Sequence, residues 1–199
     1  MLLDADDCQL LLVDYQARLM PAIHEHESVV RNALRLGRVA RLLEVPVWGT
    51  EENPDGLGHM VPEVAALCRK VLAKMHFSAC ADGLVELLRP PVRQGGNARS
   101  LPKHLQKSAP PADQRSTVVI AGCEAHVCVV QTALDLVDEE FDVWVVTDAC
   151  GSRTERDRDA AFDRLAGAGC ELVTTEMVAF ELLRTADHPA FKEVLELIK

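Results

Sequence analysis

The stretch TVVIAGCEAHVCVVQTALDL, residues 117–136, decides the fold. Its first part, Thr117 to Ala121, is short, apolar and rich in β-branched residues, as a strand buried on both faces must be. Its second part changes period. Val127, Val130, Leu134 and Val137 recur at spacings of three and four, which predicts a helix over about residues 125–138. Gly122 and the residues after it form the turn between them. A buried strand running straight into a helix is the unit of a parallel sheet, because parallel neighbours cannot be joined by a tight hairpin.

The same alternation extends in both directions. Further strands are predicted at Leu10 to Val13, Val45 to Trp48, Val143 to Thr147 and Glu171 to Thr174. Helices are predicted at Ser28 to Leu43, where Val29, Val30, Ala33, Leu36, Val39 and Leu43 follow the helical period, at Asp157 to Ala166, and at Pro189 to Lys199 with proline at a favoured first position. The expected fold is α/β: three α/β/α layers around a mostly parallel, doubly wound sheet, in one domain over residues 1–199. Two segments break the rhythm. TEENPDGLGHMVP, residues 50–62, is rich in turn formers and follows a strand where doubly wound sheets place binding loops, so it is expected to border the site. Residues 89–114 hold five of the ten prolines and two glycines, and are expected to form a surface excursion without chemistry.

Composition narrows the function. The 199 residues carry 21 Lys plus Arg against 31 Asp plus Glu, a formal charge of −10, with no basic run. That excludes a nucleic-acid groove, which needs concentrated positive charge. With 48% hydrophobic and 26% charged residues, the chain has the balance of a globular protein. At this length a domain buries roughly 70% of its unfolded surface and needs no covalent staples. Seven cysteines, at 8, 68, 80, 123, 128, 150 and 170, are odd in number and lack a CxxC pair, so no disulfide framework is expected. MLLDADDCQ is acidic where a secretory signal is basic, and no apolar run approaches the ~20 residues that span a bilayer. A cytoplasmic protein with reduced thiols and no membrane association is expected.

Reactive residues cluster after the apolar runs: Asp14 after LLLV, Lys74 and His76 after VLA, Cys123 and Cys128 after TVVIAG. Carboxyl ends of strands are where open α/β sheets hold their active groups. A thiol becomes a nucleophile only on losing its proton, and a helix N-terminus lowers its pKa. Position favours Cys128, in the first turn of the predicted helix, but leaves Cys123 open. Asp14 is suited to accept the thiol proton, and Lys74 to stabilise the thiolate.

These residues stand in blocks that resemble the isochorismatase-like cysteine hydrolases: LLLVDYQARLMPAI at 10–23, KMHFSAC at 74–80, IAGCEAHVCVVQTALDL at 120–136 and DVWVVTDACGSR at 142–153. The resemblance covers nearly the whole chain. Within the family, TEENPDGLG and DHPAFKEVLELIK are most similar to isochorismatase-domain proteins of unassigned substrate. The resemblance implies an Asp-Lys-Cys triad at Asp14, Lys74 and Cys128, which selects Cys128 over Cys123. It implies a cis peptide between Cys123 and Glu124, and an oxyanion hole from the backbone N–H groups of Glu124 and Cys128. It further implies hydrolysis of an amide-type C–N bond of a small molecule through a thioacyl intermediate, without a cofactor, by a homo-oligomer.

Gln16, which could orient Asp14, together with His76, Phe77 and His126, are candidates for the substrate pocket, and Asp148 is expected to organise a loop. Nicotinamidases of the superfamily hold a divalent metal with an Asp-x-His set. Asp55 and His59 lie in the corresponding loop without that spacing, so no metal is expected. Isochorismatases proper lack the nucleophilic cysteine, which points here to amide or imide hydrolysis. Two alternatives stand beside the hydrolase: a non-catalytic binding or scaffold module on the same fold, and a thiol redox sensor that pairs Cys123 with Cys128.

Overall fold

The computed structural model describes residues 2–90 and 115–199. In them six strands, β1 (Cys8–Val13), β2 (Val47–Glu52), β3 (Lys70–Lys74), β4 (Thr117–Gly122), β5 (Asp142–Val146) and β6 (Glu171–Val173), form one sheet in the order β3-β2-β1-β4-β5-β6. Every neighbouring pair is parallel. The expected mostly parallel α/β sheet is therefore present. β1 and β4 lie at its centre and are buried along their whole length, which is why CQLLLV and TVVIAG carry little polarity.

Helices cover both faces. On one, α1 (His26–Leu42) packs against α3 (Pro62–Ala65), α7 (Thr175–Leu183) and α8 (Phe191–Ile198). On the other, α5 (Val130–Asp138) packs against α6 (Glu155–Gly167). Two short helices, α2 (Pro54–Leu57) and α4 (Leu84–Leu88), sit in the connections after β2 and β3. The main core includes Leu10, Leu12, Leu36, Ile120 and Leu136, and each such buried side chain contributes about 1.5–3 kcal/mol. A smaller cluster of Val39, Ala179, Leu183 and Val194 seats α8 on α1. No helix among the described residues is long and apolar enough to cross a membrane.

Several boundaries differ from the sequence reading. β2 starts at Val47 and runs on through Thr50, Glu51 and Glu52, polar residues that had suggested a loop. β3 is an edge strand with an exposed Lys70 and partly buried Val71 and Leu72, too polar and too short to stand out. α7 was not foreseen, and α8 starts at Phe191, leaving Pro189 ahead of it. Apart from residues 89 and 90, the excursion expected over 89–114 lies outside the described residues.

Two backbone features bring the carboxyl ends of β1 and β4 together. A Cβ built on Gly122 would lie 2.3 Å from the Val13 carbonyl oxygen, so only glycine allows this approach. The Cys123 N–H then donates to the same Val13 oxygen at 3.0 Å. Asp14 takes a left-handed conformation, φ 54°, and its N–H donates to the Thr50 carbonyl at 3.1 Å. Strand order reverses between β1 and β4, so both features sit at the switch point where such sheets open a crevice.

Candidate active site

Four strand ends contribute to one buried cluster. Asp14 follows β1, Glu52 closes β2, Lys74 closes β3, and Cys128 lies in the connection after β4. Register sets the spacing: Glu52 is directly opposite Lys74, and Thr50 opposite Val13. From β3 the lysine side chain reaches past β2, and its Nζ lies 2.7 Å from Glu52 Oε2 and 2.8 Å from Asp14 Oδ2. Nζ also donates to the carbonyls of His76 at 3.3 Å and Phe77 at 3.2 Å. The side chains of Asp14 and Lys74 are fully buried. Charges out of water are tolerable only when paired in this way.

Asp14 is held unevenly. Its Oδ1 accepts a 2.7 Å hydrogen bond from the Thr50 hydroxyl. Its Oδ2 is held at 2.8 Å by the Lys74 ammonium. The atoms of Asp14, Glu52 and Cys128 that could bind a proton or a metal lie within 4.8 Å of one another. Cys128, 6% exposed, sits in a single π-helical turn, Ala125–Val129, that leads into α5. In that turn the Glu124 carbonyl accepts from the N–H groups of Val127 and Val129, and the Cys123–Glu124 peptide bond is cis.

The expected low thiol pKa is corrected here. Burial pushes the Cys128 thiol well above its ordinary value, the Asp14 carboxylate adds to the rise, and Lys74 opposes it. Position near a helix start is opposed by desolvation, the larger effect. Burial likewise raises Cys8, Cys68 and Cys170 to about 11, and Cys80 and Cys150 to about 12. Cys123, fully buried, is pushed up strongly. What distinguishes Cys128 is a carboxylate acceptor and an ammonium together at its side. Burial alone would lower the Lys74 pKa, but Asp14, with Cys128 and Glu52, more than offsets it and holds the ammonium above its ordinary range.

The remaining candidates are placed differently. Gln16 is fully buried, and its amide is consumed by backbone: Nε2 donates to the carbonyls of Glu52 at 2.9 Å and Gly58 at 2.6 Å, while Oε1 accepts from the Glu52 N–H at 2.8 Å. Its side chain braces the end of β2, while its own backbone N–H donates to the Asp14 carbonyl at 2.7 Å. His76 points to Asp82 at 3.1 Å, and Phe77 is 53% exposed beside it. The His126 ring contacts the Ser152 hydroxyl at 2.9 Å, and the Glu124 carboxylate pairs with Arg153 at 2.7 Å. Asp148 accepts from the N–H and hydroxyl of Thr175 and from Asn32, so it ties α7 to α1. Asp55 and His59 do not converge: Asp55 lies in α2, and His59 is exposed and meets Glu51 at 3.1 Å. Among the described residues the one cluster with metal-ligating potential is Asp14, Glu52 and Cys128. The Lys74 ammonium already contacts both of its carboxylates, and a divalent ion would have to displace it. Thr50 and Glu52 escaped the sequence reading. The signal available for them was three polar residues, TEE, directly continuing an apolar strand. A cavity of about 570 Å³, lined in part by Arg41, Cys68, Arg69 and Arg115, lies at the opposite, amino ends of the strands and shares no residue with the cluster.

Comparison with known proteins gives consistent matches. The isochorismatase domain matches residues 8–177. Isochorismatase domain-containing protein 2 of Pongo abelii is 39% identical over 190 residues, 96% of this chain and 82% of that protein. Among solved structures, MAR1 ribonuclease from Caenorhabditis elegans superposes with a TM-score of 0.84 at 31% identity, covering 100% of this chain and 92% of its own. YcaC from Pseudomonas aeruginosa, solved with hexane-2,5-diol and covalent acrylamide, gives 0.80 at 28% identity, covering 98% and 91%. YcaC from Escherichia coli, described as an octameric hydrolase of unknown specificity, gives 0.80 at 29% identity, covering 99% and 90%.

Proposed function

The chain belongs to the isochorismatase domain family, and from that premise we propose that it is a cysteine hydrolase that cleaves an amide-type C–N bond of a small molecule. The observation that carries the reading is the buried Lys74 ammonium 2.8 Å from Asp14, with the Cys128 sulfur within 4.8 Å of that carboxylate. Asp14 Oδ2 takes the thiol proton, and the thiolate attacks the carbonyl carbon. The oxygen charge that develops is stabilised by the backbone N–H groups of Glu124 and Cys128. Collapse breaks the C–N bond, and Asp14 returns the proton to the leaving nitrogen. A water molecule, deprotonated by Asp14, then attacks the thioacyl carbon, the C–S bond breaks, and the carboxylic acid departs as the thiolate regains its proton. Burial opposes ionisation of the Cys128 thiol, and Asp14 as acceptor with Lys74 beside it offsets that cost during attack.

His76, Phe77 and His126 would line the substrate pocket, with the exposed Met75 beside Phe77. The covalent acrylamide on the Pseudomonas relative suits this reading, since acrylamide is an electrophile that captures thiolates. The octamer described for the Escherichia coli relative supports a homo-oligomer. The ribonuclease description of the Caenorhabditis relative raises a second reading, phosphodiester cleavage. A net charge of −10 and a cluster with one carboxylate in excess of its ammonium disfavour it. Cysteines free of disulfides fit a reducing compartment such as the cytoplasm.

The test is a panel of small amides and ureides against the wild type, Cys128→Ala and Cys123→Ala. Turnover and a thioacyl adduct on Cys128 are expected in the wild type, turnover is expected in Cys123→Ala, and none in Cys128→Ala. Turnover in Cys128→Ala overturns the reading. A Cys123–Cys128 bridge formed readily by peroxide, with no acylation by any amide, would favour the redox sensor.

A further inference from the structure

We propose that Glu52 is a positioning residue: the permanent counter-ion that keeps the Lys74 ammonium in place when Asp14 is neutralised by the thiol proton. The inference rests on the triad reading above. Lys74 Nζ has two carboxylate partners, Asp14 at 2.8 Å and Glu52 at 2.7 Å, and only the first changes charge during attack. With Asp14 as the sole partner, proton transfer would leave the ammonium free to collapse onto the new thiolate and blunt it. With Glu52 present, Lys74 keeps one full ion pair throughout, and the proton moves from sulfur to Asp14 without any change in the net charge of the cluster.

The placement of Glu52 is built, not incidental. Register sets it opposite Lys74, and the side chain of Gln16 grips both its N–H and its carbonyl, fixing the point from which the carboxylate extends. Its side chain is 11% exposed, so its charge is poorly screened. The groups that face Nζ are Asp14 from β1, Glu52 from β2, Cys128 from the turn after β4, and the carbonyls of His76 and Phe77. The next charged groups are occupied elsewhere: Glu51 accepts from the Met60 N–H and meets His59, Asp82 meets His76, and Glu124 meets Arg153. Glu52 also acts on the thiol, whose ionisation its charge opposes, just as it supports the ionised lysine.

Both effects move the alkylation profile in the same, measurable direction when the Glu52 charge is removed. The rate of Cys128 alkylation by iodoacetamide, with the labelled cysteine identified by peptide mass mapping, is followed from neutral pH to the alkaline limit of the folded protein in the wild type, Glu52→Gln and Glu52→Asp. In Glu52→Gln the thiol midpoint and the alkaline decline caused by loss of the Lys74 charge both move down, and the maximal alkylation rate falls several-fold as the ammonium closes on the thiolate. Glu52→Asp keeps the charge on a shorter arm and shifts both limbs less, in the same direction. A residue needed only for folding would lower the melting temperature and leave both limbs unmoved. If Glu52→Gln does not fold, the Asp variant decides alone. Labelled Cys128 with wild-type limbs in the variants overturns the proposal and leaves the triad standing. Preferential labelling of another cysteine in the wild type overturns the triad reading and the proposal with it.

Discussion

At the residue scale, Asp14 joins two requirements that rarely coincide. It must turn the chain through a left-handed conformation, φ 54°, and it must present a carboxylate to both Lys74 and the thiol. Asparagine tolerates the same backbone region and has nearly the same shape. Asp14→Asn should therefore keep the fold and remove only the proton acceptor. Its melting temperature is expected within a few degrees of the wild type, with amide turnover at neutral pH down at least about 100-fold. A wild-type rate of amide turnover in that variant would remove Asp14 from the mechanism. Lys74→Met should behave in the opposite way. It leaves the carboxylates of Asp14 and Glu52 buried without their cation, a loss on the order of 3–5 kcal/mol in urea unfolding.

At the level of elements, what could be read from the sequence depended on what each strand faces. β1 and β4 are buried on both sides, so their apolar runs announce them, and Asp14 and Cys128 stand just beyond their ends. β2 was foreseen only at its apolar start, because Thr50, Glu51 and Glu52 violate the composition of a buried strand. They are admitted because each has a partner in the site: Asp14 for Thr50, the Met60 N–H for Glu51, and Lys74 for Glu52. Lys74 was visible as a residue, but its convergence on Asp14 depends on the order β3-β2-β1, which no local pattern encodes. The seam between β1 and β4 offers a direct trial. Gly122→Ala places a methyl group 2.3 Å from the Val13 carbonyl oxygen, so the strand ends must part. A loss of about 2–3 kcal/mol in denaturant unfolding is expected, with slower Cys128 alkylation in the folded variant. Ahead of β1, Asp7 accepts from the Ser116 N–H and from the hydroxyls of Ser116 and Thr117. Partial burial works against its charge, yet these bonds prevail and hold its carboxyl below the ordinary carboxylate range. The sign follows: a carboxyl lowered on folding stabilises above its unfolded pKa, and that contribution is lost as pH falls through the folded value. Asp7→Asn should thus be less stable than the wild type at pH 7, with the gap closing below about pH 4.

For the whole molecule, the charge of −10 and the composition of the site act in the same direction. Two carboxylates share one ammonium beside the nucleophile, so the approach to Cys128 is negative both locally and at long range. Such a field repels anions and leaves neutral molecules unaffected, and it weakens as the Debye length shortens from ~30 Å at 0.01 M salt to ~10 Å at 0.1 M. Iodoacetamide and iodoacetate differ chiefly in charge and deliver a nearly identical fragment to sulfur. Relative to a short cysteine peptide under the same conditions, Cys128 should prefer iodoacetamide by about tenfold at low ionic strength. Raising the salt to about 0.5 M should shrink that preference several-fold, by speeding iodoacetate and leaving iodoacetamide unchanged. Equal reactivity with both reagents, or a ratio indifferent to salt, would show that the field does not reach the nucleophile, and the case against polyanionic substrates would lose its physical basis. The expected ratio would instead direct the search for substrates toward neutral or cationic amides.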